Sequence, residues 1–286
     1  MDEFEVYLVS NGSMELYPNN TLSSFTNRLS EPLDLKGNWK VALTSISIPS
    51  TVKNVTTTKF VGYNYDKENK VIYKDIYDFQ SGIYPSVEDL LIALQKQSLT
   101  KVMRKTHVNP ADGKLSLQLK ANEAFMFYDA EIPNILGLDY TEKFFNHVFK
   151  YIGHDNIDKL DSTILNHSLE GTDEDDTITI TGQHPVDITY DINHVFVYIN
   201  IIEYQHVADT KAPLLRVFNR GVRLKNGSIQ QIETQTGNTF KDLEFKKILS
   251  NNIQSIKIEL RTESGRLVPF VGTGRTTLTL KFKKVS

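Results

Sequence analysis

Residues 255–282 read SIKIELRTESGRLVPFVGTGRTTLTLKF. Ile256, Ile258 and Leu260 alternate with Lys257 and Glu259, and Leu278, Leu280 and Phe282 alternate with Thr279 and Lys281. A period of two is the pattern of a strand with one face on a core and the other on water. Between the two runs, Ser264-Gly265 supplies turn chemistry. Pro269 has no N–H to give a ladder, so the first strand must end before it, leaving Phe270 to fold over the end of the sheet. The stretch predicts a closing hairpin in which the six apolar residues share one core. Lys257, Glu259, Lys281 and Lys283 then face solvent or a neighbouring subunit.

Working outward, the remaining residues from 192 onward repeat this β character in HVFVYINIIEY, LLRVF and RLKNGSIQQIET, with turns expected at Asn226-Gly227 and Gly237-Asn238. Residues 1–56 are also β-rich: FEVYLVS and WKVALTSISI are strands, and Pro49 ends the second. Residues 57–191 differ. Two short strands precede YPSVEDLLIALQKQ, a helix with a Ser86/Asp89 capping pair and an apolar stripe of Val87, Leu90, Leu91 and Leu94. NPADGKLSLQLK is a hairpin tip with Asp112-Gly113 in the turn, and EIPNILGLDY is a short helix ended by Gly137. The pattern predicts a mainly β protein: a single jelly-roll β-sandwich built from 1–56 and 192–286, with 57–191 as an α+β domain inserted between strands.

The 286 residues suffice for a sizeable core, and a net charge of −3 argues against a general nucleic-acid binder. There is no cysteine, which removes disulfides, thiolate metal sites and a thiol nucleophile and fits a reducing compartment. The acidic, alternating start MDEFEVYLVS is unlike a signal peptide, and no apolar run is long enough to span a bilayer.

Three segments resemble, in order, the penton (minor capsid) proteins of Polinton/Maverick transposons, adintoviruses and virophages. They are LSEPLDLKGNWKVALTSISIPS (29–50), YINIIEYQHVADTKAPLLRVF (198–218) and IKIELRTESGRLVPFVGTGRTTLTLKF (256–282). GIYPSVEDLLIALQK (82–96) and ILGLDY (135–140) are similar to the helix and Leu-Gly step inside such proteins. The resemblance implies a single jelly roll that forms homopentamers at the five-fold vertices of an icosahedral shell. Its partners there are trimers of a double-jelly-roll major capsid protein. It implies a virion location after assembly in the host cell, with a host receptor as a further partner through the inserted domain. The structural or interface candidates are Trp39, Asp209, Arg216, Arg261, Pro269, Phe270 and Phe282.

No residue is assigned to catalysis, to a cofactor or to a metal. The seven histidines lack ligand spacing, and His147, His154 and His167 share a polar region with Asp155, Asp158 and Asp161 that reads as solvated surface. TDEDD (172–176) lacks the alternating ligands and Gly bend of a calcium loop and reads as an exposed acidic loop, with a weak cation site at an assembly contact as the alternative. No G-x-S-x-G elbow occurs, and GTGR (272–275) lacks the ending of a phosphate loop. KFKK (281–284) reads as lysines protecting an edge strand, with electrostatic attraction to packaged nucleic acid as the alternative. Arg216 either makes an ion pair across a subunit boundary or surfaces beside the sheet. Trp39 reads as core. A carbohydrate- or receptor-binding jelly roll is the competing function, and a hydrolase on a β-scaffold the third.

Overall fold

The computed structural model describes residues 2–57, 59–66, 71–94, 96, 103–120, 123–127, 130–138, 177–220, 223–225, 228–230 and 235–285. In chain order the first strands are β1 (Glu3–Val9), β2 (Ser24–Asp34) and β3 (Asn38–Pro49). Then come β4 (Lys59–Asp66), β5 (Val71–Asp78), α1 (Val87–Leu94), β6 (Met103–Val108), β7 (Lys114–Lys120), β8 (Glu123–Phe127), α2 (Glu131–Ile135) and β9 (Thr177–Pro185). The chain continues through β10 (His194–Ile199), β11 (Gln205–Val207), β12 (Thr210–Ala212), β13 (Leu214–Asn219), β14 (Arg223–Lys225) and β15 (Ser228–Gln230). It closes with β16 (Gln235–Thr239), β17 (Lys246–Lys247), β18 (Asn252–Arg261) and β19 (Thr277–Val285). Two units are defined: Met1–Lys53, Asp191–Arg223 and Gln230–Ser286 make the first, and Asn54–Tyr190 with Leu224–Ile229 the second.

In the first unit, one antiparallel sheet runs β1-β19-β3-β16, with β17 also on β3, and the other runs β13-β10-β18-β2. Taking β1, β2, β3, β10, β13, β16, β18 and β19 as the eight principal strands, the orders are first–eighth–third–sixth and fifth–fourth–seventh–second. Two four-stranded sheets interleaved in this way are a jelly roll. The last two strands therefore do not form the expected hairpin. β18 lies between β10 and β2, β19 lies between β1 and β3, and residues 262–276 carry the chain from one sheet to the other. Alternation alone reports which face is apolar, and strands of opposite sheets that face one core alternate just as hairpin strands do. The core assignment holds: Ile256, Ile258, Leu260, Leu278, Leu280 and Phe282 are all buried, while Lys257 and Lys283 are exposed.

β3 shows why its own alternation is ambiguous. Thr279 pairs with Ser45 but Leu280 with Leu43, so Thr44 is an extra residue, a β-bulge. The bulge switches phase, and Val41 and Leu43 before it face the core along with Ile46 and Ile48 after it. Thr44 Oγ1 donates to the Thr279 carbonyl at 3.0 Å, and the Ser45 and Thr279 hydroxyls bond at 3.0 Å, so the bulge is hydrogen-bonded in place. Two boundaries differ from expectation: Gly237-Asn238 lies inside β16 opposite Ser47 and Ile46 rather than in a turn, and β10 stops at Ile199. The expected turn at Asn226-Gly227 lies outside the described residues, between the paired strands β14 and β15.

The second unit holds sheets β5-β4-β8 and β6-β7-β9 and both helices. Its core includes Phe60, Leu90, Leu94, Leu117, Phe127 and Ile135. The Asp89 amide donates to Ser86 Oγ at 3.1 Å, which is the N-terminal half of the capping box read from sequence. Gly137 has φ 67°, and a Cβ there would lie 2.0 Å from the His184 carbonyl oxygen, so only glycine fits this close approach after α2. Glu131, buried at the start of α2, accepts from the amides of Thr56 and Thr57 at 2.6 and 2.7 Å and from both hydroxyls.

Candidate functional site

Trp39 and Phe282 belong to one aromatic cluster that the sequence reading did not join. Phe4 on β1 stacks on Phe282 with centroids 5.0 Å apart and planes 3° apart, and tilts against Trp39 at 5.6 Å. Trp39 Nε1 donates to the Lys36 carbonyl at 3.2 Å, so the buried indole leaves no donor unmet. The signal for Phe4 was available in the alternation of FEVYLVS. Its neighbour on β19 was not, because pairing of the first strand with the last is a property of topology.

Arg216 does not simply surface beside the sheet. Its register partner is the core residue Val197, so its side chain enters the open side of the sandwich instead of the outer face, and it is 14% exposed. The guanidinium lies 4.0 Å from the Phe240 centroid, Nη1 donates to the Asp242 carbonyl at 2.8 Å, and Glu244 is 3.9 Å away. All of these partners are in the segment between β16 and β17, so Arg216 fastens one sheet to the other. Asn27 does the same on the opposite side, where β1 and β2 run. It accepts from the Val9 amide at 2.8 Å and donates to the Val9 carbonyl at 3.0 Å. A Cβ on Gly12 would come within 2.6 Å of the Asn27 amide nitrogen, which explains that glycine. A groove of about 520 Å³ follows this side, lined by β1 and by residues 27–31 and Leu33 of β2.

Arg261, Pro269 and Phe270 lie along the crossing from β18 to β19. Arg261 Nη1 donates to the Gly265 carbonyl at 2.6 Å and its Nε to Glu259 at 3.0 Å. Burial raises the Glu259 carboxyl, but hydrogen bonds and charge from Lys257 and Arg261 outweigh it and hold the group below its ordinary value. The Pro269 carbonyl accepts from the Lys53 amide at 3.0 Å, and Phe270 bridges to Val52 while remaining half-buried; Val268 is the buried anchor of the crossing. Asp209 is exposed in the two-residue turn between β11 and β12, apart from all of these.

Besides Glu131, two further buried charged groups had no sequence signal. Asp191, at φ 61°, accepts from Ser264 N and Oγ at 2.6 Å each and from Arg266 Nη2 at 2.8 Å. Burial pushes its carboxyl up, yet the bonds from Ser264, Arg266 and Thr262 prevail and its pKa is lowered. Arg220 is 7% exposed, its Nη1 has no hydrogen-bond partner among the described residues, and burial pushes its pKa down to about 10. It is still a cation at neutral pH.

Among the described residues there is no cluster of three or more metal-ligating side chains, and no helix is long and apolar enough to cross a membrane. His194 contacts Glu263 at 2.5 Å on the surface. TDEDD and His147, His154 and His167 lie outside the described residues. KFKK is on β19, a central strand, so edge protection is not its role.

The sequence matches no protein-family model and no curated protein. Among solved structures it is similar to the mavirus penton protein, with 11% identity, 100% of both chains covered and a TM-score of 0.44. It is also similar to a chain of the Sputnik virophage, with 10% identity, 99% and 98% covered and a TM-score of 0.43. The fold assignment rests on the strand order above and not on these scores.

Proposed function

We propose that this chain is a structural capsid subunit, a penton protein that closes into homopentamers at the five-fold vertices of an icosahedral virus-like particle. The observation that carries the reading is the first–eighth–third–sixth and fifth–fourth–seventh–second strand order, the jelly roll that capsid subunits and lectins use. The sequence segments that resemble penton proteins support it by where they fall: 29–50 spans most of β2 and all of β3, 198–218 runs into β13, and 256–282 joins β18 to β19. Assembly proceeds by a heterologous side-to-side contact repeated until the rotation closes. Trimers of a double-jelly-roll major capsid protein surround the ring in the virion, after assembly in the host cell. Residues 57–191 form an inserted domain that reaches a host receptor. The chain acts without catalysis, cofactor or metal.

Mass photometry of the purified chain, alone and with the major capsid partner, tests this. A species of about 163 kDa, five chains of 32.6 kDa, is the expected result. A chain that stays monomeric in both samples and binds glycans on an array would replace this reading with the carbohydrate-binding one.

A further inference from the structure

At Val9 both backbone groups turn away from β19: the amide donates to Asn27 Oδ1 at 2.8 Å and the carbonyl accepts from Asn27 Nδ2 at 3.0 Å. An antiparallel neighbour bonds a residue in the same reciprocal way, so the Asn27 side chain stands in for a strand. Backbone groups alternate in direction along a strand, which points the amides and carbonyls of Glu3, Glu5 and Tyr7 to the same free side. Ser10 fixes the phase, since its amide donates the other way, to the Thr276 carbonyl just before β19, at 2.9 Å. The edge of β2 on this side is covered. Asn20 Oδ1 accepts from the Thr26 amide at 2.9 Å, Asn20 Nδ2 donates to the Thr26 carbonyl at 3.0 Å, and Ser13 Oγ accepts from the Arg28 amide at 2.9 Å. Further along β2, Pro32 has no amide hydrogen. Among the described residues nothing bonds the outward groups of Glu3, Glu5 and Tyr7, and the β1–β19 register runs unbroken from Glu3 to Val9. A straight, uncovered edge is a template for another strand.

We propose that the Glu3–Tyr7 edge takes an added strand from another protein, an extended segment with apolar residues at alternate positions and a basic residue between them. Three features set that chemistry. The unpaired amides and carbonyls recur at every second residue, about 6.8 Å apart, and an extended backbone is what matches all of them. Residues opposite Phe4 and Val6 point into the groove of about 520 Å³, where Phe4, Val6, Leu29 and Leu33 are left half-buried. The residue opposite Glu5 points outward with it. Glu5 has no partner among the described residues, because Lys281, directly opposite it on β19, bonds Glu3 at 3.1 Å. A lysine or arginine on the added strand supplies the missing charge. β19 follows the same rule on the other side of β1: Leu280 and Phe282 face the core, while Lys281 and Lys283 lie opposite Glu5 and Glu3. The carboxylate also turns away β1 of a second copy. The antiparallel register that pairs all three residues sets Glu5 against Glu5, and like charges directly opposite destabilise a sheet. The site needs only β1 and β2 of one chain, so it is independent of the ring.

The test uses the full chain and a peptide blocked at both ends, Thr-Val-Lys-Val-Thr, read by isothermal titration calorimetry and by hydrogen exchange of single amides. The controls are the same peptide with glutamate for lysine, and one methylated on the lysine nitrogen so that it cannot donate. The lysine peptide should bind saturably. At a tenfold excess over its dissociation constant, exchange of the Glu3, Glu5 and Tyr7 amides should slow about tenfold. Both control peptides should bind at least about tenfold more weakly. Tyr7→Pro removes one outward amide and no β1–β19 ladder bond, on the side of an edge strand where proline is tolerated. It should keep its melting temperature and lose at least about tenfold in affinity for the peptide. Glu5→Lys should reject the lysine peptide and accept the glutamate one, which keeps the edge testable if Tyr7→Pro folds poorly. Absence of saturable binding, or equal binding of all three peptides, overturns the proposal. Protection of the same amides that grows with protein concentration and needs no peptide overturns it in favour of a second copy. Mass photometry of the same samples reads the ring separately, so either reading can fail alone.

Discussion

Truncation of Phe282 tests the strand order more directly than any other single change. The side chain is fully buried, is stacked on Phe4 at 5.0 Å, and lies opposite Phe4 on one side and Val41 on the other. Phe282→Ala should cost about 3–5 kcal/mol, the range for a buried Phe truncated in a core that relaxes only in part. Of that, about 0.5–1.5 kcal/mol belongs to the ring pair beyond area burial. A double-mutant cycle with Phe4→Ala isolates it: the two single losses should exceed the double loss by about that coupling. Urea titration followed by tryptophan fluorescence suits the measurement, because the only tryptophan, Trp39, lies 5.6 Å from Phe4. Lys281→Ala is the control. Its amine is 3.1 Å from Glu3 on the surface, and such a pair is worth at most about 1 kcal/mol. Zero coupling between Phe4 and Phe282, or equal losses for Phe282→Ala and Lys281→Ala, would refute the pairing of the first strand with the last and the jelly roll with it.

Asp191→Asn should destabilise the chain at neutral pH. The native carboxyl has a pKa below the usual value of about 3.9, so its contribution is complete above that value and is lost as pH falls through the native one. The gap between wild type and variant in urea midpoints should therefore close below about pH 4, and a gap that stays constant there would refute the linkage. Arg220→Met should leave the melting temperature unchanged or raise it, because it removes a buried cation with an unpartnered nitrogen; differential scanning calorimetry decides it. Gly137→Ala should cost more than about 2 kcal/mol, since it combines a positive φ with a backbone clash; an unchanged melting profile would mean the α2 end is free to move.

The parts of this fold legible in sequence are those that depend on local pattern. Ile256, Ile258, Leu260, Leu278, Leu280 and Phe282 were placed in a core because alternation is a property of one strand. The α1 cap and the Gly137 helix end were found for the same reason: each is complete within a few residues. What failed was pairing. Whether β19 lies beside β18 or across the sandwich from it depends on a distant partner, since Phe282 pairs with Phe4, 278 positions away. The bulge at Thr44 also escaped, because a phase change looks like noise until the opposite strand is known. The packing of Arg216 escaped for a related reason: an arginine after Pro-Leu-Leu carries no local sign of Phe240, which the other sheet brings to it.

A sandwich of two separate sheets has two open sides, and here a polar side chain crosses each. Asn27 spans from β2 to the backbone of β1, and Arg216 spans from β13 to the segment after β16. Hydrogen bonds to backbone groups are directional, so they fix the offset between sheets in a way that apolar contact alone does not. The subunit thereby meets its own requirement for closure from within. Loss of Arg216 should therefore lower stability, because its partners among the described residues, Phe240, Asp242 and Glu244, are in its own chain.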